Sequence, residues 1–162
     1  MKPIALVTGA SSGIGEAIAR QIADHYQLII CGRRTARLLS LSKELHNETQ
    51  TLIGSFDVRD QSAVSNFIDS LPDKWQNISV LINNAGNAHG MNYIHEGDIQ
   101  DWDAMIDINI KGLLYISRAV IPKMIKKKHG HIINLGSIAG TDVYPKGNVY
   151  NASEFAVDAL TK

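Results

Sequence analysis

The chain has 162 residues, 44% apolar and 20% charged, and its 16 basic side chains balance its 16 acidic ones. This is the composition of an ordinary globular chain, and a formal charge of zero leaves no electrostatic footprint for nucleic acid or for an anionic membrane. No apolar run is long enough to span a bilayer, and the single cysteine, Cys31, cannot form an internal disulfide and suits a reducing compartment.

The start, Met1-Lys2-Pro3-Ile4, runs into an apolar stretch rather than a signal peptide, so the expected location is cytoplasmic. From there apolar runs alternate with amphipathic segments. Strands are predicted at 3–8, 27–31, 51–56, 80–83 and 131–135. Helices are predicted at 13–24, 35–47, 61–71 (capped by Asp60 and closed by Pro72), 99–127 (capped by Asp98), and from about 148 onward. Such alternation predicts an α/β fold, a parallel sheet with helices on both faces, in one domain over 1–162. Cys31 falls in the apolar run Leu28-Ile29-Ile30-Cys31 and is expected to be buried and inert. Lys126-Lys127-Lys128 suits the negative end of a helix dipole better than a binding patch.

The stretch that organises the rest is Thr8-Gly9-Ala10-Ser11-Ser12-Gly13-Ile14-Gly15, where the first strand hands over to the first helix. Glycine tolerates unusual backbone angles and lets a phosphate approach the main chain. The following helix offers free N–H groups and a positive dipole end to that phosphate. This is a dinucleotide-binding turn in its proper strand-turn-helix context, and it specifies a Rossmann-type doubly wound sheet. The second strand ends in Cys31-Gly32-Arg33-Arg34. A binder of unphosphorylated NAD usually carries an acidic residue there for the ribose hydroxyls. Two guanidinium groups match a 2′-phosphate instead, so the expected cofactor is NADP.

The spacing Gly9-x-x-x-Gly13-x-Gly15 after Thr8, together with Asn83-Asn84-Ala85-Gly86 at the end of the fourth strand, resembles the short-chain dehydrogenase/reductase family. The resemblance implies that Gly9, Ser11, Ser12, Gly13, Ile14, Gly15, Arg33, Arg34, Asn84, Ala85 and Gly86 bind the cofactor. It implies that Asp57, with Val58, meets the adenine ring. Asn109, Ser137 and Tyr150 match the family's catalytic set in order and spacing. By that resemblance Asn109 distorts its helix and holds a relay water, Ser137 polarises the substrate oxygen, and Tyr150 exchanges its proton and contacts the cofactor. Family members commonly form homodimers or homotetramers through the long helix and the last one. Stretches 87–91, 101–107, 129–134 and 147–150 are similar to NADP-dependent dehydrogenases of small 3-hydroxy acids such as serine and allo-threonine. The implied function is hydride transfer between NADP and a small hydroxy acid or carbonyl substrate. No metal is expected: His129 and His131 lack further ligands at sensible spacing.

Two departures stand out. Free tyrosine titrates near a pKa of about 10, and the family lowers this with a lysine four residues on. Here the sequence reads Tyr150-Asn151-Ala152-Ser153-Glu154, a carboxylate in the lysine's place. A negative charge beside the phenol disfavours phenolate, so alcohol oxidation should suffer more than carbonyl reduction. The alternative reading is a catalytically impaired NADP-binding module. Lys146, four residues before Tyr150, lies between Pro145 and Gly147 in a predicted loop and is not expected to substitute. Family members also continue into further strands and a substrate loop, so the chain is expected to be incomplete at its C-terminus, with the last strands absent.

Overall fold

A computed structural model describes residues 2–162. Five parallel strands, β1 (Ile4–Val7), β2 (Gln27–Gly32), β3 (Thr51–Ser55), β4 (Ile78–Asn83) and β5 (His131–Asn134), form one sheet in the order β3-β2-β1-β4-β5. The chain builds outward from β1 to β3, then crosses back to lay β4 against the other side of β1. That reversal opens a crevice at the carboxyl ends of β1 and β4, where doubly wound folds bind ligands.

The helices that cover the sheet are α1 (Gly13–Ile22), α2 (Thr35–Glu44), α3 (Gln61–Asp69), α4 (Ile99–Met105), α5 (Leu113–Lys127) and α6 (Asn148–Thr161). Strand side chains alternate between the two faces. Ala5, Val7, Leu28 and Ile30 pack with Leu38 and Leu41 of α2 and Ala19 of α1. Leu6, Ile29 and Cys31 pack instead with Val64 and Ile68 of α3 and Ile116 and Val120 of α5. Both faces of β1 and β2 are therefore buried, which is why these strands read as unbroken apolar runs. Cys31 is fully buried, and desolvation pushes its thiol far up, as an inert core residue requires. β5 differs: it lies at the sheet edge, with Ile132 and Ile133 37% and 39% exposed.

The predicted strands are all present with shifted ends, and so are the predicted helices other than the long one over 99–127. α1 stops at Ile22, α2 tightens into a 3₁₀ turn over Leu45–Asn47, and β4 begins two residues early. α3 ends at Asp69, so Pro72 does not close it but introduces a separate 3₁₀ turn, Asp73–Trp75. Asp60 and Asp98 cap their helices, accepting from the Ala63 and Gln100 N–H groups at 2.9 and 2.8 Å. Lys126 and Lys127 occupy the last turn of α5, and Lys128 ends it in the left-handed region, φ 54°.

The largest difference is the long helix predicted over 99–127. It divides into α4, a π-helical segment over Ile106–Gly112, and α5. Gly112 shows one reason: a Cβ there would sit 2.7 Å from Cγ2 of Val58, so only glycine lets the segment come this close to the turn after β3. π-helical turns of this kind cluster at functional sites.

Candidate active site

The turn after β1 is held by its neighbour across the sheet. Thr8 Oγ1 accepts hydrogen bonds from the Asn84 and Ala85 backbone N–H groups, both at 3.0 Å. Asn84 Nδ2 returns the contact, donating to the Thr8 carbonyl at 2.9 Å. Gly9 and Gly13 both lie in the left-handed region, φ 67° and 58°, where glycine carries no steric penalty. They do different work. A Cβ on Gly15 would fall within 2.6 Å of the Gly9 carbonyl oxygen, so Gly15 is a packing requirement. Gly13 has nothing within 4 Å of its missing Cβ and faces open space at the start of α1. Ser12, the α1 cap residue, makes no side-chain cap, which leaves the first-turn N–H groups for a ligand.

A cleft of about 340 Å³ runs over this turn. Gly9, Ser12, Gly13 and Ile14 form its floor, Asn84, Ala85 and Gly86 one end, and Arg33, Arg34, Asp57 and Val58 the other. Phe56, Asn87 and Ile108 add lining that the sequence did not single out. Ser11 and Gly15 support the cleft from behind: Ser11 is buried, and its Oγ accepts from Arg34 Nε at 3.2 Å. Arg34 also donates to Ser12 Oγ. Its guanidinium is thereby tied to the glycine turn. Arg33 is looser, 61% exposed, with Nη1 3.6 Å from an Asp57 carboxylate oxygen. Asp57 is engaged more tightly by Arg59, at 2.7 Å. Burial pushes the Asp57 carboxyl up, but the Arg59 hydrogen bonds and the charges of Arg59 and Arg33 outweigh it and hold the carboxyl below its ordinary value. Arg59 was missed from sequence, where its place two residues past Asp57 reads as a helix approach.

The three residues of the predicted catalytic set do not line that cleft. Two of them, Asn109 and Tyr150, belong to a second, connected group. Asn109 lies in the π-helical segment and is 3% exposed. Its Oδ1 accepts from the Asn87 N–H at 2.9 Å, and its Nδ2 donates to the Asn87 carbonyl at 2.9 Å and to Ser153 Oγ at 3.0 Å. Ser153 in turn donates to the Tyr150 carbonyl at 2.8 Å. The cleft wall at Asn87 is thus wired through Asn109 to the first turn of α6. Ser153 was not singled out from sequence; a serine inside a helix, three residues after a candidate tyrosine, is the signal that could have found it. Ser137 follows β5 and caps a 3₁₀ turn, Ile138–Gly140, its Oγ accepting from the Ala139 N–H at 3.2 Å. Ser137 and Tyr150 are both half-buried.

Glu154, one turn after Tyr150 on α6, is 7% exposed. Its Oε2 has no hydrogen-bond partner. Burial pushes the carboxyl up, opposed by the backbone N–H of Ser137. Lys146 adopts φ 67° and sets its ammonium 5.1 Å from the centre of the Tyr93 ring. Among the described residues no group of three or more His, Cys, Asp or Glu side chains is arranged to hold a metal, and no helix is long and apolar enough to cross a membrane.

The family described as short chain dehydrogenase matches residues 3–162. The NADP-dependent 3-hydroxy acid dehydrogenase YdfG of Shigella flexneri is 47% identical over 152 residues, which cover 93% of this chain and 60% of that protein. Sulfoacetaldehyde reductase 2 of Chromohalobacter salexigens is 44% identical, covering 99% of this chain and 65% of that one. The crystal structure of serine dehydrogenase from Escherichia coli superimposes with a TM-score of 0.91 at 45% identity, over 97% of this chain and 72% of that chain. A closed form of serine dehydrogenase complexed with NADP+ gives 0.92 at 45% identity, over 97% and 63%. The chain spans about 60% of the length of the curated 3-hydroxy acid dehydrogenases it matches.

Proposed function

The chain belongs to the short-chain dehydrogenase family, and from that premise we propose that it binds NADP and serves hydride transfer between the cofactor and a small hydroxy acid or the matching carbonyl compound. The observation that carries this reading is the cleft itself, with open space over Gly13 at the α1 N-terminus and two guanidinium groups at one end. These residues fit a phosphorylated dinucleotide. The α1 N–H groups and the glycine turn would hold the pyrophosphate, Arg33 and Arg34 would hold the 2′-phosphate, and Val58 with Ile108 would offer apolar wall to a ring. Asp57 would meet the adenine ring.

NADP supplies the nicotinamide that accepts or delivers the hydride. The chain's own residues handle the oxygen and the proton. Ser137 donates a hydrogen bond to the substrate oxygen, and Tyr150 gives that oxygen a proton in reduction or takes one in oxidation. Asn109 holds the π-helical segment against Asn87 and Ser153 and so keeps the Tyr150 helix in register with the cleft. The relatives named above act on serine, 3-hydroxy acids or sulfoacetaldehyde, which supports a small substrate carrying an acid group. A homodimer or homotetramer in the cytoplasm completes the reading.

A second reading has its own observation. The Glu154 carboxyl, buried one turn from Tyr150, opposes a phenolate, so the chain would bind NADP while catalysing weakly. Calorimetric titration of the chain with NADPH and with NADH tests the cofactor assignment shared by both. NADPH should bind at least about tenfold more tightly than NADH, the least that one charge-assisted contact provides. Equal affinities, or no binding of either, would overturn it.

A further inference from the structure

Tyr150 sits in the first turn of α6, and that turn has no side-chain cap of its own: Gly147, the cap residue, makes no side-chain hydrogen bond. It is held instead from the neighbouring loop. β4 and β5 pair side by side, so the segments that leave their carboxyl ends, 84–98 and 135–147, run out together. The two segments meet where α6 begins. Asn148, the first residue of α6, donates from Nδ2 to the Asn92 carbonyl at 2.7 Å. Two residues earlier, the Lys146 ammonium lies 5.1 Å from the centre of the Tyr93 ring.

The loop after β4 has little else to fix its course. Every residue from Ala88 to Glu96 is exposed, so no buried side chain anchors it. Its ends are tied to α4: the His89 N–H donates to Met105 Sδ at 3.4 Å, and Gly97 packs against the Trp102 ring. The Tyr93 ring is oriented within the loop by stacking on His95, 5.9 Å between centres and 12° between planes. Lys146 meets that ring from a costly conformation. Its φ of 67° lies in the left-handed region, which L residues enter only with strain. The glycine beside it serves another purpose, since a Cβ on Gly147 would strike the Asn151 side chain and the Tyr144 ring. Strain of this kind persists where the surrounding contacts demand it.

We propose that Lys146 is a positioning residue: its ammonium clasps the loop after β4 to the start of α6 and, with the Asn148–Asn92 bond, fixes the turn that carries Tyr150. This rests on the reading of Tyr150 as the group that exchanges the substrate's proton. The same turn is already bonded to Asn109 through Ser153, and the clasp gives it a second anchor in a different loop. The attraction is that of a charge for a ring face. It therefore requires a cation at 146 and an aromatic ring at 93.

Amide exchange of the chain, read residue by residue by NMR, tests this through four hydrogen-bonded N–H groups. Glu96 donates to the Tyr93 carbonyl, Gly147 to that of Tyr144 and Asn151 to that of Gly147; Thr8, which donates to Ile82 in the sheet, is the reference. Lys146→Met keeps an unbranched stem and removes the charge, whereas Lys146→Arg keeps the charge. In Lys146→Met, exchange at Glu96, Gly147 and Asn151 should rise about two- to fivefold, the range of an exposed cation–π contact, with Thr8 unchanged. Lys146→Arg should exchange as the parent chain does. No rise in Lys146→Met, or an equal rise in both variants, overturns the inference. A rise at Glu96 without one at Asn151 also overturns it, because the loop would then move without the Tyr150 turn. Tyr93→Leu against Tyr93→Phe repeats the comparison from the ring side, and decides it should Lys146→Met fail to fold. NADPH titration of the same proteins separates the underlying reading: no binding by any of them overturns the cofactor assignment, while the exchange pattern still decides the clasp.

Discussion

The two halves of the molecule treat charge in opposite ways. Around β1–β3 the charged groups sit at or next to the cleft, the arginines exposed and each with a partner: Arg33 and Arg59 on Asp57, Arg34 on the serines of the glycine turn. Around β5 and α6 a carboxyl is buried with no counter-ion among the described residues, beside an edge strand whose apolar side chains are exposed. Nucleotide binding draws on backbone geometry and on charges that water already stabilises, so many residues share the work. In the proposed reaction proton transfer rests on one phenol, so one neighbour can govern it. A family pattern can therefore be kept almost whole in the first half and altered in the second by a single side chain.

The strongest way to break this contrast is to reverse the buried charge. Glu154→Lys, placed in a chain of the relatives' full length, should raise alcohol oxidation with NADP+ and a small 3-hydroxy acid by on the order of a hundredfold, the lower range of general acid–base contributions. Steady-state assays of NADPH formation would show it, and an unchanged rate would mean that Glu154 does not limit Tyr150. Next comes the exposed charge at the other end. Arg33→Asp with Arg34→Ser should exchange the preference for NADPH over NADH, a change of about ten- to a hundredfold for two charge-assisted contacts. Equal loss of both nucleotides in calorimetry would instead mark the arginines as structural.

Gly15→Ala tests whether the first half depends on backbone approach. The added methyl would strike the Gly9 carbonyl and Asn84. We expect a loss of about 1–3 kcal/mol in urea denaturation, with NADPH binding impaired alongside. The smallest effect sharpens the contrast through pH. The folded-state pKa of Glu154 lies above its ordinary value, so the protonated group contributes stability that is fully present below the unfolded value, about 4.3, and is lost as pH rises through the folded value. Glu154→Gln should remove that decline, leaving the variant about 1 kcal/mol or more the stabler protein on the alkaline side. Parallel pH profiles in the two proteins would show that the carboxyl is not desolvated.

Much of this was legible in the chain before folding. The runs 4–7 and 28–31 announce strands buried on both faces, because no polar residue interrupts them. The glycine turn announces a nucleotide, because its spacing meets a backbone requirement that few other sites impose. Local chemistry also set the caps at Asp60 and Asp98. The break in the long helix was foreshadowed by Asn109 and Gly112, but its form was not. A π-helical turn arises from the close contact with Val58 and from the bonds to Asn87 and Ser153, partners 22 and 44 residues from Asn109 in sequence.

The sequence by itself determined the order of strands and helices, the place of the dinucleotide turn and the identity of each charge, since these follow from periodicity, local sterics and side-chain chemistry. It showed that Glu154 is acidic where a base was expected. Only the tertiary structure decided that this carboxyl is enclosed with an orphaned oxygen, that Arg34 is tethered while Arg33 is loose, and that Asn87, Asn109, Ser153 and Tyr150 form one wired path. Burial and hydrogen-bond partnership depend on segments far apart in the chain meeting at one end of the sheet, and no local pattern records which neighbours a side chain will meet there.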